Sequence, residues 1–135
     1  MLLTDTHVLL WILIGDERVH PNARRLIQDE LQRQRLFVSS TTYWELAQLV
    51  NRGHIDLGCE LRVWRARRIA DGIGEIALDS EKLILAENLR QEGAPSDLAD
   101  RLIMATAILR RGRLATADRE ILAWNGPLDS VDVSR

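Results

Sequence analysis

The sequence predicts an α/β protein whose parallel sheet is covered by helices on both sides. Three observations carry this. Short apolar runs alternate with helical patterns along the chain, the order that builds parallel sheets from βα units. Leu36-Phe37-Val38 is continuously apolar, as suits a strand buried on both faces. The run LIMATAIL at 102 to 109 is apolar nearly all round, which predicts a buried helix.

In order, Leu2 to Thr4 reads as a short strand and Thr6 to Ile14 as a mostly buried helix. Pro21 opens a second helix, with Ala23, Leu26, Ile27 and Leu31 on one stripe. RLFVSS is the next strand, and TTYWELAQLVNRG a helix closed by Gly53. HIDLG is a turn, ELRVWRARRIAD a helix and EIALD a short strand. Ser80 is placed to cap the helix EKLILAENLRQEG. Pro95 and Ser96 precede a helix from Asp97 to Arg111, closed by Gly112. RLATAD is a strand running into a loop, 119 to 124 a short helix, and Ser130 to Val133 a last edge strand. Two helices, rather than one, separate the first two strands. Sheets of this kind bind ligands outside the carboxyl ends of their strands.

The 135 residues suit one domain, 1–135, with no repeat or linker. Cys59 is the only cysteine and the three histidines lie far apart. That excludes an intrachain disulfide and zinc-site spacing and fits a cytoplasmic protein. The apolar start is interrupted by Asp5 and His7, and the unbroken stretch Val8 to Ile14 is far short of the roughly 20 residues a membrane span needs. Net charge is −2, so the chain is no polycation, yet all its basic residues but Lys82 are Arg. Arg is the better fork for phosphate, although Arg-rich codon usage has the same result. Arg62, Arg65 and Arg68 fall at helical spacing, either a phosphate-contacting stripe or a solvated face paired with nearby acids.

Four acids stand out. Asp5 follows the first strand and Asp118 ends the strand Leu114-Ala115-Thr116; each is either at the sheet's carboxyl edge for chemistry or a helix N-cap. Glu45 lies just inside a helix among Tyr43, Trp44, Leu46 and Leu49, either on its solvated stripe or turned toward a cation. Asp100 is in the first turn of the apolar helix, and Asp97 with Asp100 approximates a capping box. All four should face one end of the sheet. Carboxylates about 4 Å apart repel by roughly 4 kcal/mol at an effective dielectric near 20, so a cation is expected among them. Oxygen-only ligation points to Mg²⁺ or Mn²⁺, which activate water near phosphate.

These residues also carry a family resemblance. L-L-T-D-T-H-V-L-L-W at 2 to 11, V-S-S-T-T-Y-W-E-L-A at 38 to 47, D-L-A-D-R-L-I-M-A-T-A at 97 to 107 and L-A-T-A-D at 114 to 118 resemble, in order and spacing, the VapC-type toxins of the PIN-domain family. The resemblance implies a three-layer α/β/α fold with a central, mainly parallel sheet of four to five strands. It implies a Mg²⁺-dependent endoribonuclease with the quartet Asp5, Glu45, Asp100 and Asp118, in which Asp5, Asp100 and Asp118 hold the metal and Glu45 helps hold a metal or orient water. Thr116 matches a hydroxyl position that orders the site, and Asp97 a frequent extra acid. The family pattern often has Pro after that acid, where this chain has Leu98. The resemblance further implies an RNA substrate, a cognate antitoxin and a homodimer. The alternatives are a PIN-like module that binds RNA or protein without cutting, and a phosphatase of the haloacid-dehalogenase type. The latter chemistry wants a second Asp two residues after the first, where this chain has His7.

Overall fold

The computed structural model describes residues 1–135. Five strands form one sheet: β1 (Leu2–Thr4), β2 (Leu36–Ser39), β3 (Gly74–Ile76), β4 (Arg113–Thr116) and β5 (Asp129–Asp132). They lie in the order β3-β2-β1-β4-β5, and every pair is parallel. The helices are α1 (Thr6–Ile14), α2 (Pro21–Gln32), α3 (Ser40–Asn51), α4 (Leu61–Ala70), α5 (Ser80–Gln91), α6 (Leu98–Leu109) and α7 (Arg119–Ala123).

Period-2 alternation divides the core. Leu2 belongs to a cluster of 14 buried residues with Val8, Ile27, Val38, Leu46 and Trp64. Leu3 faces the opposite way, into a cluster of 11 with Leu89, Ile103, Met104 and Leu114. The sheet is thus sandwiched between two helical layers, which is why β1 and most of α6 are apolar without alternation. Because all strands are parallel, their carboxyl ends share one edge. The chain moves outward from β1 through β2 to β3, then crosses back to β4 on the other side of β1. The crevice between β1 and β4 is therefore the topological switch point, the usual ligand position in open α/β sheets.

Two expected helix ends differ in detail. Asp79, not Ser80, caps α5: its Oδ1 accepts from the Lys82 amide and its Oδ2 from Lys82 Nζ. The carboxylate reaches the third helical N–H and the lysine of the same turn together, which Ser80 cannot. At the end of α6 the left-handed residue is Arg111 (φ 52°), not Gly112. Gly112 serves close approach instead, because a Cβ there would lie 2.2 Å from Met1 Sδ.

Gly74 is another close approach. It pairs with Phe37, and an added Cβ would lie 2.4 Å from the Phe37 ring. Elsewhere in a strand interior, Gly→Ala stabilises by roughly 0.5–1 kcal/mol. Here Gly74→Ala is expected to destabilise by about 1–3 kcal/mol, as overpacking does, read as a lower urea midpoint at unchanged m-value.

Candidate active site

Asp5 leaves β1 at its carboxyl end and becomes the N-cap of α1, its Oδ1 accepting from the Val8 amide at 2.9 Å. The cap occupies one oxygen. The other, Oδ2, accepts a hydrogen bond from the Thr116 hydroxyl. Thr116 Oγ1 in turn accepts from the Asp118 amide at 3.0 Å, so one hydroxyl ties the end of β4 to the end of β1. Asp5 is buried, and burial pushes its pKa above the ordinary value against the opposing Thr116 and Val8 bonds.

Asp118 repeats the arrangement after β4. Its Oδ1 caps α7 by accepting from the Glu120 and Ile121 amides at 2.8 and 3.2 Å, which leaves Oδ2 to the cleft. For both residues the cap and the cleft are compatible uses of one carboxylate.

Glu45 is not on a solvated stripe. It is half-buried, and its Oε1 accepts from the Thr6 hydroxyl at 2.6 Å. A carboxylate only accepts, so Thr6 gives it its proton and receives one from the Thr42 hydroxyl 3.1 Å away. Burial raises the Glu45 pKa; the Thr6 bond opposes this, and Asp97 adds to it.

Asp97 caps α6 by accepting from the Asp100 amide at 3.2 Å. The capping box is half-formed: the Asp100 side chain turns away into the cleft. Burial, then the charges of Asp97, Asp118, Glu45 and Asp5, push its pKa up to about 7. All four of the other acids are thus within electrostatic reach of Asp100.

They line a single cleft of about 490 Å³ together with Thr6, His7, Trp11, Arg18 and Ala117. Arg62, Arg65 and Arg68 do not line it. On α4, Arg65 forks onto Glu75 at 2.7 and 2.9 Å, and Arg68 pairs with Asp71 while lying over Trp64. The two are committed to neighbouring acids; Arg62 has no ion-pair partner.

As they stand, no three of the acids form a group that holds a metal ion. The donor chemistry nevertheless fits Mg²⁺ or Mn²⁺. Five carboxylates supply hard oxygens against the single nitrogen donor His7, three of the carboxyls have raised pKa values, and Mg²⁺ keeps several waters, needing one or two carboxylates rather than a closed cage.

The PIN-domain family matches residues 2–124. The chain belongs to the PIN-domain family. As a PIN domain it is 31% identical over 127 residues to Ribonuclease VapC22 of Mycobacterium tuberculosis, covering 93% of this chain and 92% of the relative. Its fold is shared with a chain of a toxin–antitoxin complex from Klebsiella pneumoniae, with a TM-score of 0.68 at 23% identity over 97% of this chain and 96% of that one. It is shared also with a chain of DNA-bound VapBC from Salmonella typhimurium, with a TM-score of 0.67 at 19% identity over 96% of both.

Besides the apolar Ala117, reading the sequence missed four residues of this PIN-domain cleft: Thr6, His7, Trp11 and Arg18. Thr6 and His7 directly follow Asp5, and Trp11 is one helical turn beyond His7, with ring centroids 6.0 Å apart. Those three were reachable by treating the first face of α1 as a continuation of Asp5. Arg18 lies beyond α1, where no periodicity operates; only the pairing Asp16-x-Arg18 hints at it.

Proposed function

We propose that this PIN domain is a Mg²⁺-dependent endoribonuclease, with Mn²⁺ as a substitute, and the toxin of a toxin–antitoxin pair. The observation that carries the reading is the cleft at the switch point, where Asp5, Glu45, Asp97, Asp100 and Asp118 converge and Asp100 is held near neutral pKa. The kinship to a protein named as a ribonuclease supports it.

Asp5, Asp100 and Asp118 are the residues that would hold the cation. Bound there, it supplies activation of water and neutralisation of charge on a phosphodiester. Glu45, fixed by Thr6, is positioned to orient the attacking water and take its proton. Thr116 keeps Asp5 and the Asp118 backbone in register, and Asp97 orders the α6 start that presents Asp100. The antitoxin partner rests on fold neighbours solved as toxin–antitoxin and VapBC complexes. A homodimer, a cytoplasmic location and residues 1–135 as one domain complete the proposal; no helix is long and apolar enough to cross a membrane.

The test is cleavage of mixed RNA by the purified chain. Cleavage is expected with Mg²⁺ or Mn²⁺ and is expected to stop with EDTA. Asp5→Asn should reduce it at least about 100-fold, beyond the 10–100-fold that loss of a metal's outer-shell partner costs. RNA that is bound but left intact under every metal would support the non-cutting module instead.

A further inference from the structure

Arg18 is the one cationic side chain of Lys or Arg type lining the acidic cleft. A phosphodiester chain approaching five carboxylates is repelled, and nothing else in the lining offsets this with a permanent positive charge. Arg18 is also held. Its Nε and Nη2 donate to Asp16 Oδ1 and Oδ2 at 3.1 and 2.6 Å, and its guanidinium lies over the Trp11 ring, 4.4 Å from the centroid. Its Nη1 makes no hydrogen bond, and the side chain is 63% exposed.

An exposed ion pair contributes little to stability, so the fold gives scant reason for fixing Arg18 on an edge and a face at once. Fixing it does reduce the rotamer freedom lost on binding, the general benefit of preorganisation. The free Nη1 edge presents two N–H groups, and Arg is suited to phosphate oxygens.

We propose that Arg18 is the phosphate-docking residue of the cleft, gripping a backbone phosphate of single-stranded RNA beside the one that is cut. Asp16 and Trp11 are positioning residues that hold its guanidinium. This rests on the ribonuclease reading and adds to it a substrate contact outside the acidic quartet.

The experiment measures binding of a short, labelled, single-stranded RNA of mixed sequence by anisotropy, in EDTA, across a series of KCl concentrations. Arg18→Ala is expected to weaken binding about 10-fold or more, the scale of one lost charged hydrogen bond. It should also lower the log–log salt slope by about 0.7, one phosphate contact to a single strand. Arg18→Lys should keep the slope and recover part of the affinity. Asp16→Ala and Trp11→Phe should weaken binding less, with the slope retained. With Mg²⁺ present, Arg18→Ala should raise KM more than it lowers kcat. Arg90→Ala, on α5 away from the cleft, is the surface-charge control and should bind as wild type.

An Arg18→Ala protein with wild-type affinity and slope would overturn the inference, even if a protein partner were lost instead. So would an equal loss in Arg90→Ala. If the wild type neither binds nor cuts RNA, the ribonuclease reading falls first and takes this inference with it. If it binds and cuts while Arg18→Ala is indistinguishable, only this inference falls.

Discussion

Asp100→Asn is expected to lose RNA cleavage by at least about 100-fold and, without metal at pH 8, to melt at a higher temperature than wild type. The two changes have one origin. Asp100 titrates near 7 in the fold against an ordinary value of 3.8, because it is half-buried and faces four other carboxyls. The folded state therefore holds the proton more tightly than the unfolded chain. Below about pH 4 both states are protonated and Asp100 adds no penalty. As pH rises from about 4 to about 7 the unfolded chain releases its proton first, and this contribution to stability is progressively lost. Above pH 7 the whole penalty remains. Water screens the exposed part of the carboxyl, so the loss is taken as about 1 kcal/mol, or roughly 3–4 °C in Tm.

Asn cannot titrate, so the Tm gap between variant and wild type should be near zero at pH 4 and should widen toward pH 8. Mg²⁺ should close the gap by stabilising the wild type more than the variant. Thermal melts at pH 4 and 8, with and without Mg²⁺, check this. An equal pH dependence in both proteins would mean that Asp100 is not crowded by its neighbours. The Asp100 amide still donates to Asp97 in the variant, so loss of the helix cap is not a competing explanation.

How much of this was visible in the sequence differs from residue to residue. β1, β2 and β4 are legible because parallel, doubly covered strands are short apolar runs; the expected strand EIALD runs three residues past β3, which ends at Ile76, and the polar edge strand β5, Asp-Ser-Val-Asp, lies within one residue of its expected position. Asp5 and Asp118 are legible as acids at strand ends, but their sequence neighbours do not decide between chemistry and capping. The structure removes the conflict, since each cap uses one oxygen. Glu45 was not resolvable from its neighbours, because the partner that turns it inward, Thr6, is 39 residues away. The Arg62, Arg65 and Arg68 spacing was visible while the acids beside it were not: Glu75 reaches Arg65 from another element. Arg18 and Arg101 were missed for a shared reason. Arg is an exposed residue by default, and apart from the Asp16-x-Arg18 pairing nothing local marks one that is fixed.

Arg101 carries the largest expected effect on the fold. It sits on α6 one residue after Asp100, is only 4% exposed, and has no carboxylate partner. Its charge is satisfied by carbonyls: Nε donates to Ala86 O at 3.0 Å, and Nη1 to Pro95 O at 3.1 Å and Ser96 O at 2.6 Å. The guanidinium thus joins α5, α6 and the connection that delivers Asp97 and Asp100 to the cleft. Arg101→Met keeps an apolar stem of similar reach and removes every donor. Hydrogen bonds to a charged group contribute about 1.5–3 kcal/mol each, and stranded acceptors keep their desolvation penalty. Relief from burying the guanidinium offsets part of this. The expected net loss is about 3 kcal/mol, near 10 °C in Tm for a chain of this size. Because the Pro95 and Ser96 carbonyls are released, amide exchange should quicken across residues 94–100 before it does in the sheet, and metal-dependent cleavage should fall with it. Arg101→Lys keeps the charge but not the fork, and should recover only part of the stability. Urea melts and site-resolved hydrogen exchange decide the matter. If Arg101→Met is as stable as wild type with unchanged exchange at 94–100, those carbonyls have other partners and Arg101 does not hold the acidic turn.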